Sequence, residues 1–552
     1  MREPKGSGAA SASIPASQLQ PFLRIPPFPS AKVRHFPEAH AAPPRDTDLA
    51  AEVRRLRVGG TYWAAQPNLP HSYVLLRDKR LLESAKEFAG SRPVVLWDAH
   101  DASARGADNV MLVNGECDPW HMLAAAAGLF ADADDEVSLV AALLDVPVFV
   151  VDPASGTAVR STVDPEAALA ERLACRPGRN PFTGEPMTSR EALELCGFWR
   201  QLVDSNRALA GGLGFAFWKQ DHVGPLLWNG SQPFRFVRSA AEAPLGQLAV
   251  WRSKASPQAL SECERAKTPV VEVEDGFLRS RGLGADCIPP LSITVDRLGA
   301  YFDPSNPSEL ELLLQSGEFD ECVLDRAREL RGVIVESGLA KYEQGAEVLA
   351  RPAGERLHIL VPGQVEDDRA VQTGGCGLVS NLELLKRVRE QSPGAYIIYK
   401  PHPDVLAGHR RGAIPERQCL RYADQIADED AIGSLIAMVD EVHVNTSLAG
   451  FEALLRGKQV TTYGVPFYAG WGLTRDLGPV PARRTATRSL DELVAATLLL
   501  YPRYLDPNTG LPCPAEVVVA RLTSDGQRDP GLLVGVRRLQ GKFMRRLRSL
   551  VQ

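Results

Sequence analysis

Two short polar clusters, each placed after its own apolar run, carry most of the chemistry that this chain displays. Leu357–Val361 ends in Pro362-Gly363 and opens into Gln364-Val365-Glu366-Asp367-Asp368, while Tyr396–Tyr399 opens into Lys400-Pro401-His402-Pro403-Asp404. Apolar, β-branched runs bounded by Gly and Pro read as buried parallel strands. In an open α/β sheet, ligands occupy the crevice at the carboxyl ends of such strands. A carboxylate at one strand end can attack an electron-poor carbon or stabilise a cationic centre. Lysine and histidine at the next can hold a phosphate and ease the departure of a leaving group. Gln364 and Asp368 stand four apart, so both share one face if the loop runs on as a first helical turn. The acidic triplet would also favour a helix N-terminus on its own account.

Two further constellations belong with these. Val271–Gly284 reads VEVEDGFLRSRGLG: a strand feeds Glu274-Asp275, then a glycine turn, then Arg279-Ser280-Arg281. Adjacent carboxylates at a strand end can supply a general base tuned by burial, and arginines can fork onto a carboxylate or phosphate. A solvated polar turn accounts for the same spacing. Thr446-Ser447 precedes an apolar helical run; capping explains the serine, and its hydroxyl and the helix amides could also receive a phosphate. Gly464–Asp476, GVPFYAGWGLTRD, suits either a loop flanking a ligand or ordinary packing.

The elements that must position these residues alternate. Strand signals fall at Ser72–Leu76, Pro93–Trp97, Asn109–Val113 and Val146–Val151, with a helix-like Ala-rich run at Trp120–Phe130. Ser189–Ser205 places Ala192, Leu195, Trp199, Leu202 and Val203 on one helical face. Strands Leu248–Trp251 and Val270–Val273 flank a helix over Pro257–Ala266, and a last alternating block runs from Arg356 to about Leu500. An internal repeat is suggested: Val94–Asp101 (VVLWDAHD) resembles Ile397–Asp404 (IIYKPHPD), and Ala141–Leu144 resembles Glu452–Leu455. Where the later copy has Asn445-Thr446-Ser447, the earlier has Asp134-Asp135-Glu136, carboxylates that would repel a phosphate.

Bulk properties set the frame. A chain of 552 residues exceeds one core and implies about three to four domain-sized units. A net charge of −6 offers no general field for nucleic acid. The 9 cysteines lack any C-x-x-C pair and read as reduced thiols of a cytoplasmic protein, with no metal site. No apolar run reaches the roughly 18 residues of a membrane span, and no secretory h-region appears at the N-terminus. Val534–Gln552 separates Arg537, Arg538, Lys542, Arg545, Arg546 and Arg548 from an apolar face, which suits either an anionic membrane surface or a docked helix.

VEDGFLRSRGLG, PPLSITVD with FDPSNPSELE, VPGQVEDD, KPHPD and NTSLAGFEALLRGKQVTTYGVPFYAGWGLTRD, joined by NPFTGEPM and LGFAFWK, resemble bacterial capsular polysaccharide β-Kdo transferases of the KpsC type over about residues 170–520. The resemblance implies an α/β fold, a GT-B-like pair of Rossmann-type domains preceded by a partial or degenerate α/β repeat. Residues 1–48, rich in Ala, Ser and Pro, read as a mostly disordered leader, followed by the degenerate repeat over 49–160, an acceptor-side half over 161–345, a CMP-sugar-binding half over 346–525 and a basic amphipathic tail over 526–552. The implied activity is Kdo transfer from CMP-Kdo to a lipid-linked saccharide acceptor with retention, needing no cofactor or metal. Asp368 matches the family's nucleophile, and Glu274 and Asp275 its acidic pair. Gln364, Arg279, Ser280, Lys400, His402, Pro403, Thr446 and Ser447 are the implied nucleotide-sugar contacts. Partners would be other capsule biosynthesis and export proteins, at the inner face of the cytoplasmic membrane. The first block lacks VEDGF and Gln-x-x-x-Asp, which implies one competent module rather than the usual two. Transfer of another CMP-activated ulosonic acid, or a non-catalytic role in capsule assembly, are the competing readings; donor competition and an Asp368→Ala change separate them.

Overall fold

The alternation of apolar strands and amphipathic helices produces three large sheets, two of them mainly or wholly parallel and one mixed. A computed structural model describes residues 21–38, 49–98, 109–174, 178–230, 234–243, 245–278, 288–339, 349–352, 354–408 and 410–524. Arg279, Ser280 and the basic tail lie outside these residues, as does most of the WDAHD segment. Among the described residues no helix is long and apolar enough to cross a membrane.

The first sheet is built from β1 (Tyr73–Leu76), β2 (Val94–Asp98), β3 (Val110–Asn114), β4 (Ala126–Phe130), β5 (Val148–Val151) and β6 (Ala158–Arg160). Its order is β3-β2-β1-β4-β5-β6, with only β6 antiparallel. The expected helix over Trp120–Phe130 is corrected here: the helix stops at Leu123, and the alanine-rich remainder is β4, held between β1 and β5. Sheet pairing overrides the helix preference of alanine. Gly128 suits the strand because a Cβ there would meet the Phe88 ring at 2.9 Å.

A short hairpin, β7 (Gly178–Arg179) with β8 (Pro186–Met187), leads to the helix Ser189–Asn206. Thr188 and Glu191 cap that helix reciprocally, the arrangement that satisfies two orphan amides. The chain through Ala208, with Trp228–Pro233, forms one compact unit. Two expected boundaries therefore move. Residues 161–208 belong with the first unit rather than with the transferase half. The leader is also structured in part: Phe22, Ile25 and Phe28 are buried, and the Phe28 ring lies 5.2 Å from that of Trp228. Three apolar anchors within a Pro/Ser-rich composition suffice to pin the segment, since each buried side chain contributes about 1.5–3 kcal/mol.

The second unit holds two sheets. One starts with β9 (Leu209–Leu213), β10 (Phe236–Val237), β11 (Gln247–Val250), β12 (Val270–Asp275) and β13 (Ser292–Asp296). The other comprises β14 (His358–Pro362), β15 (Tyr396–Lys400), β16 (Gln425–Ile426), β17 (Glu441–Val444), β18 (Gln459–Thr462) and β19 (Arg475–Asp476), in the order β16-β15-β14-β17-β18-β19, all parallel. The chain then returns: β20 (Arg503–Leu505) pairs antiparallel with β13, and β21 (Pro512–Cys513) follows it. Residues 503–513 thus complete the earlier sheet, a correction to the second-half boundary. Buried Tyr501 fixes this return by donating its hydroxyl to Asp296 at 2.8 Å.

Candidate active site

In the order β16-β15-β14-β17-β18-β19, succession reverses between β14 and β17. That switch point is where an open parallel sheet forms its ligand crevice. The loops after β14, β15 and β17 each lead into a helix whose N-cap was singled out from sequence: Asp368 before Arg369–Gly374, His402 before Pro403–Leu406, and Ser447 before Leu448–Leu455. These residues line one cleft of about 270 Å³ together with Glu274, Asp275, Gln364, Lys400, Pro403 and Thr446. The structure therefore brings together every described residue of the sequence-derived site.

Gln364 and Asp368 do not share a helical turn, because the helix begins only at Arg369. Gln364 instead spans the switch point. Its Nε2 donates to Thr446 Oγ1 at 2.9 Å, and its Oε1 accepts the Thr446 amide at 2.9 Å. Buried Asn381 holds the same loop, accepting the Gln364 amide at 2.8 Å and donating to the Gln364 carbonyl at 2.8 Å. With its amide engaged this way, Gln364 ties the β14 loop to the β17 loop. Asp368 accepts the Ala370 amide through Oδ1 at 3.0 Å, and its other oxygen has no protein hydrogen-bond partner among the described residues.

The His402 ring is oriented by its own turn. Nδ1 accepts the Asp404 amide at 3.1 Å, so the neutral ring carries its proton on Nε2 and can donate it to a ligand oxygen. Lys400 is 5% exposed, and its Nζ donates to the Asp428 carbonyl at 2.9 Å. Ser447 Oγ accepts the Ala449 amide at 3.3 Å, and fully buried Tyr468 donates to the Ser447 carbonyl. GVPFYAGWG therefore divides its work: Pro466 and Phe467 line the cleft, while Tyr468 and Trp471 are core.

The opposite wall comes from the carboxyl end of β12. Gly276 passes so close to Ser292 that a Cβ would collide with its side chain, which explains the glycine after the acidic pair. Arg369, the residue after Asp368, reaches this wall and donates to Glu274 at 2.8 Å and Glu272 at 2.5 Å. Burial pushes the Glu274 carboxyl up to about 8, against the pull of Arg369 and with the help of Asp275 and Glu272. Asp275 accepts from Lys219 at 3.1 Å, and Lys219 lies 3.4 Å from the centroid of the Trp251 ring. The two carboxylates are thereby differentiated: one is poised near neutral pH, the other is paired with a buried ammonium.

Arg369, Lys219, Asn381 and Arg410 were not among the residues expected to serve the site. Arg369 had one available signal, its position directly after Asp368, and Lys219 closes the LGFAFWK segment. Arg410 lines the cleft and sits 3.4 Å from Asp367.

Paired Rossmann-type sheets with the cleft at their strand ends define the GT-B class of fold. The family model described as capsule polysaccharide biosynthesis protein matches residues 248–350 and 323–504. One solved structure, the Thermosulfurimonas dismutans KpsC beta Kdo 2,4 transferase, is 32% identical at a TM-score of 0.50, covering 57% of this chain and 98% of that one. The chain belongs to this capsule polysaccharide biosynthesis family. The capsule polysaccharide modification protein LipA of Neisseria meningitidis is 40% identical over 336 residues, 60% of this chain and 47% of LipA. The lipopolysaccharide-processing protein LpsZ of Rhizobium meliloti is 46% identical over 244 residues, 44% of this chain and 55% of LpsZ. The chain thus spans about half the length of the curated relatives it matches.

Proposed function

We propose that this protein is a retaining glycosyltransferase that moves Kdo from CMP-Kdo to a lipid-linked acceptor in capsular polysaccharide biosynthesis. The observation that carries the reading is the juxtaposition made by Arg369. It places the half-engaged carboxylate of Asp368 one residue from a contact to Glu274, whose pKa is raised to about 8. A nucleophile and a base belong together in a double displacement.

In the first step Asp368 attacks the anomeric carbon, and the bond from that carbon to the phosphate oxygen breaks. CMP leaves with the electron pair. The Nε2 proton of His402, the Ser447 helix start and the cations Lys400 and Arg410, all on the cleft wall, would stabilise the departing phosphate. In the second step an acceptor hydroxyl attacks the same carbon from the vacated side, gives its proton to Glu274 and releases the Asp368 carboxylate. Two inversions give net retention. Asp275, held by Lys219, is the positioning neighbour of the base. The single acidic-pair motif and single Gln-x-x-x-Asp motif favour transfer of one Kdo linkage type. The basic tail would hold the enzyme at the inner face of the cytoplasmic membrane, beside other capsule proteins.

Intact-protein mass spectrometry after incubation with CMP-Kdo tests this. A Kdo-sized mass gain with CMP release, both absent in Asp368→Ala, is the expected result. An unmodified protein that releases no CMP even with a lipid-linked acceptor present would refute it.

A further inference from the structure

Three carboxyls stand together on β12 of the second unit, and three cations meet them. Glu272 and Glu274, two residues apart on the strand, project from one face of the sheet. Arg252, which follows β11, donates to Glu272 Oε2 at 3.4 Å. Lys219, on the helix Phe217–Leu227, donates to Asp275 at 3.1 Å. Arg369 Nη1 donates to Glu274 Oε1 at 2.8 Å and to Glu272 Oε1 at 2.5 Å. The neighbouring strand β13 sets uncharged Thr294 opposite Glu274. The charged groups acting on Glu274 are therefore Arg369 and Lys219 against Asp275 and Glu272.

Arg369 is held in this role by its own helix. It is the first residue of Arg369–Gly374, which Asp368 caps. Its guanidinium lies 5.1 Å from the centroid of the Phe302 ring. The last residue of the helix meets the same Phe302: a Cβ on Gly374 would stand 2.9 Å from its carbonyl oxygen. One backbone step thus separates the carboxylate that caps the helix from the side chain that grips Glu274. Without Arg369, Glu274 would be left with two acidic neighbours, while the remaining cation, Lys219, is engaged with Asp275. A buried carboxyl beside like charges takes up a proton more readily.

We infer that Arg369 is a positioning residue: its guanidinium holds the Glu274 carboxylate, by charge, on the cleft wall that faces the nucleophile loop. The inference rests on the double-displacement reading for the role of Glu274 as base. Its test uses the full chain with Arg369→Met, Arg369→Gln and Arg369→Lys, and follows acceptor-dependent turnover from neutral to alkaline pH. In the unaltered protein the rising limb follows Glu274, at about 8. In Arg369→Met and Arg369→Gln it should move to the alkaline side by about one pH unit or more, the effect of losing an opposite charge in contact. Turnover near neutral pH then falls about tenfold and recovers on the alkaline side. Arg369→Lys, which keeps the charge, should restore most of the limb.

A second measurement needs no substrate. The melting-temperature difference between a protein with Glu274 and its Glu274→Gln variant, followed over the same pH range, reads the titration of that carboxyl. Its midpoint should move to the alkaline side in Arg369→Met and Arg369→Gln and stay near its original place in Arg369→Lys. A limb and a midpoint that do not move, with turnover lowered equally at every pH, would overturn the inference and leave Arg369 a purely structural contact. An unaltered protein that turns over no acceptor would instead strike the transferase reading, because the substrate-free titration reports on Arg369 and Glu274 alone.

Discussion

The sheets β1–β6 and β14–β19 share one strand order, and each has an aspartate after its central strand and an eight-residue helix after its fourth. What differs is the charge at the strand ends. Asp78, after β1, is clasped by the Arg80 guanidinium through both oxygens, whereas Asp368, after β14, accepts one amide. The helix Glu136–Leu143 starts at Asp135, which Arg77 holds at 2.5 Å, and Glu136 is held in turn by Arg24. Its counterpart, Leu448–Leu455, starts at neutral Ser447. In the VVLWDAHD alignment Trp97 stands where the later copy has Lys400, and its ring lies under Arg77 at 4.3 Å. The first crevice contains its own counter-charges; the second leaves its positive helix ends and one Asp368 oxygen without a counter-charge among the described residues. Topology supplies a crevice, and side-chain charge decides whether an anion can enter it.

If this contrast is right, turnover belongs to the second region and its acidic wall. Glu274→Gln should lower kcat/KM by about 10²–10⁴-fold. A base must be ionised, and the Glu274 pKa is raised from 4.5 to about 8, so activity should climb with pH and level off above about 8. That limb should be missing from the pH profile of Glu274→Gln. The same shift has a stability consequence: a carboxyl with a raised folded-state pKa contributes stability that is complete below about 4.5 and is lost as pH rises through about 8. Relative to the glutamine variant, the melting temperature should therefore fall across that window.

Ser447→Asp writes the first crevice's charge into the second. The KM for donor should rise about 10–100-fold as the carboxylate meets the phosphate, and an unchanged KM would break the comparison. Gln364→Ala removes both hydrogen bonds to Thr446, a loss of about 1–3 kcal/mol by denaturant unfolding with a several-fold fall in kcat. Arg77→Leu should have the smallest effect. It frees Asp135 in the first crevice, lowers the melting temperature through loss of a mostly buried ion pair, and leaves CMP release unaltered.

The crevice loops were legible because apolar strands ending in Pro-Gly and Lys-Pro punctuation announce where chemistry sits. The repeat was legible through two short matches, although its weakest stretch, Ala126–Phe130, reads as helix until its neighbours in the sheet are known. Arg369 and Lys219 were not legible as site residues. Their partners lie 95 and 56 residues away, and no local pattern encodes an ion pair closed by the fold. The burial of Phe22, Ile25 and Phe28 was hidden for the same reason, under a composition typical of disorder.

The late return of β20 to β13 also sets a timetable for synthesis. Asp296 and its partner Tyr501 are 205 residues apart, so a ribosome adding about 5–20 residues per second completes β13 roughly 10–40 s before its neighbour emerges. During that interval the nascent Ser292–Asp296 strand, with Ile293 and Val295 among its apolar side chains, presents an unpaired edge. The intervening β14–β19 sheet is entirely parallel and contained within the delay, so it can fold as a unit while the earlier one waits for its last strands.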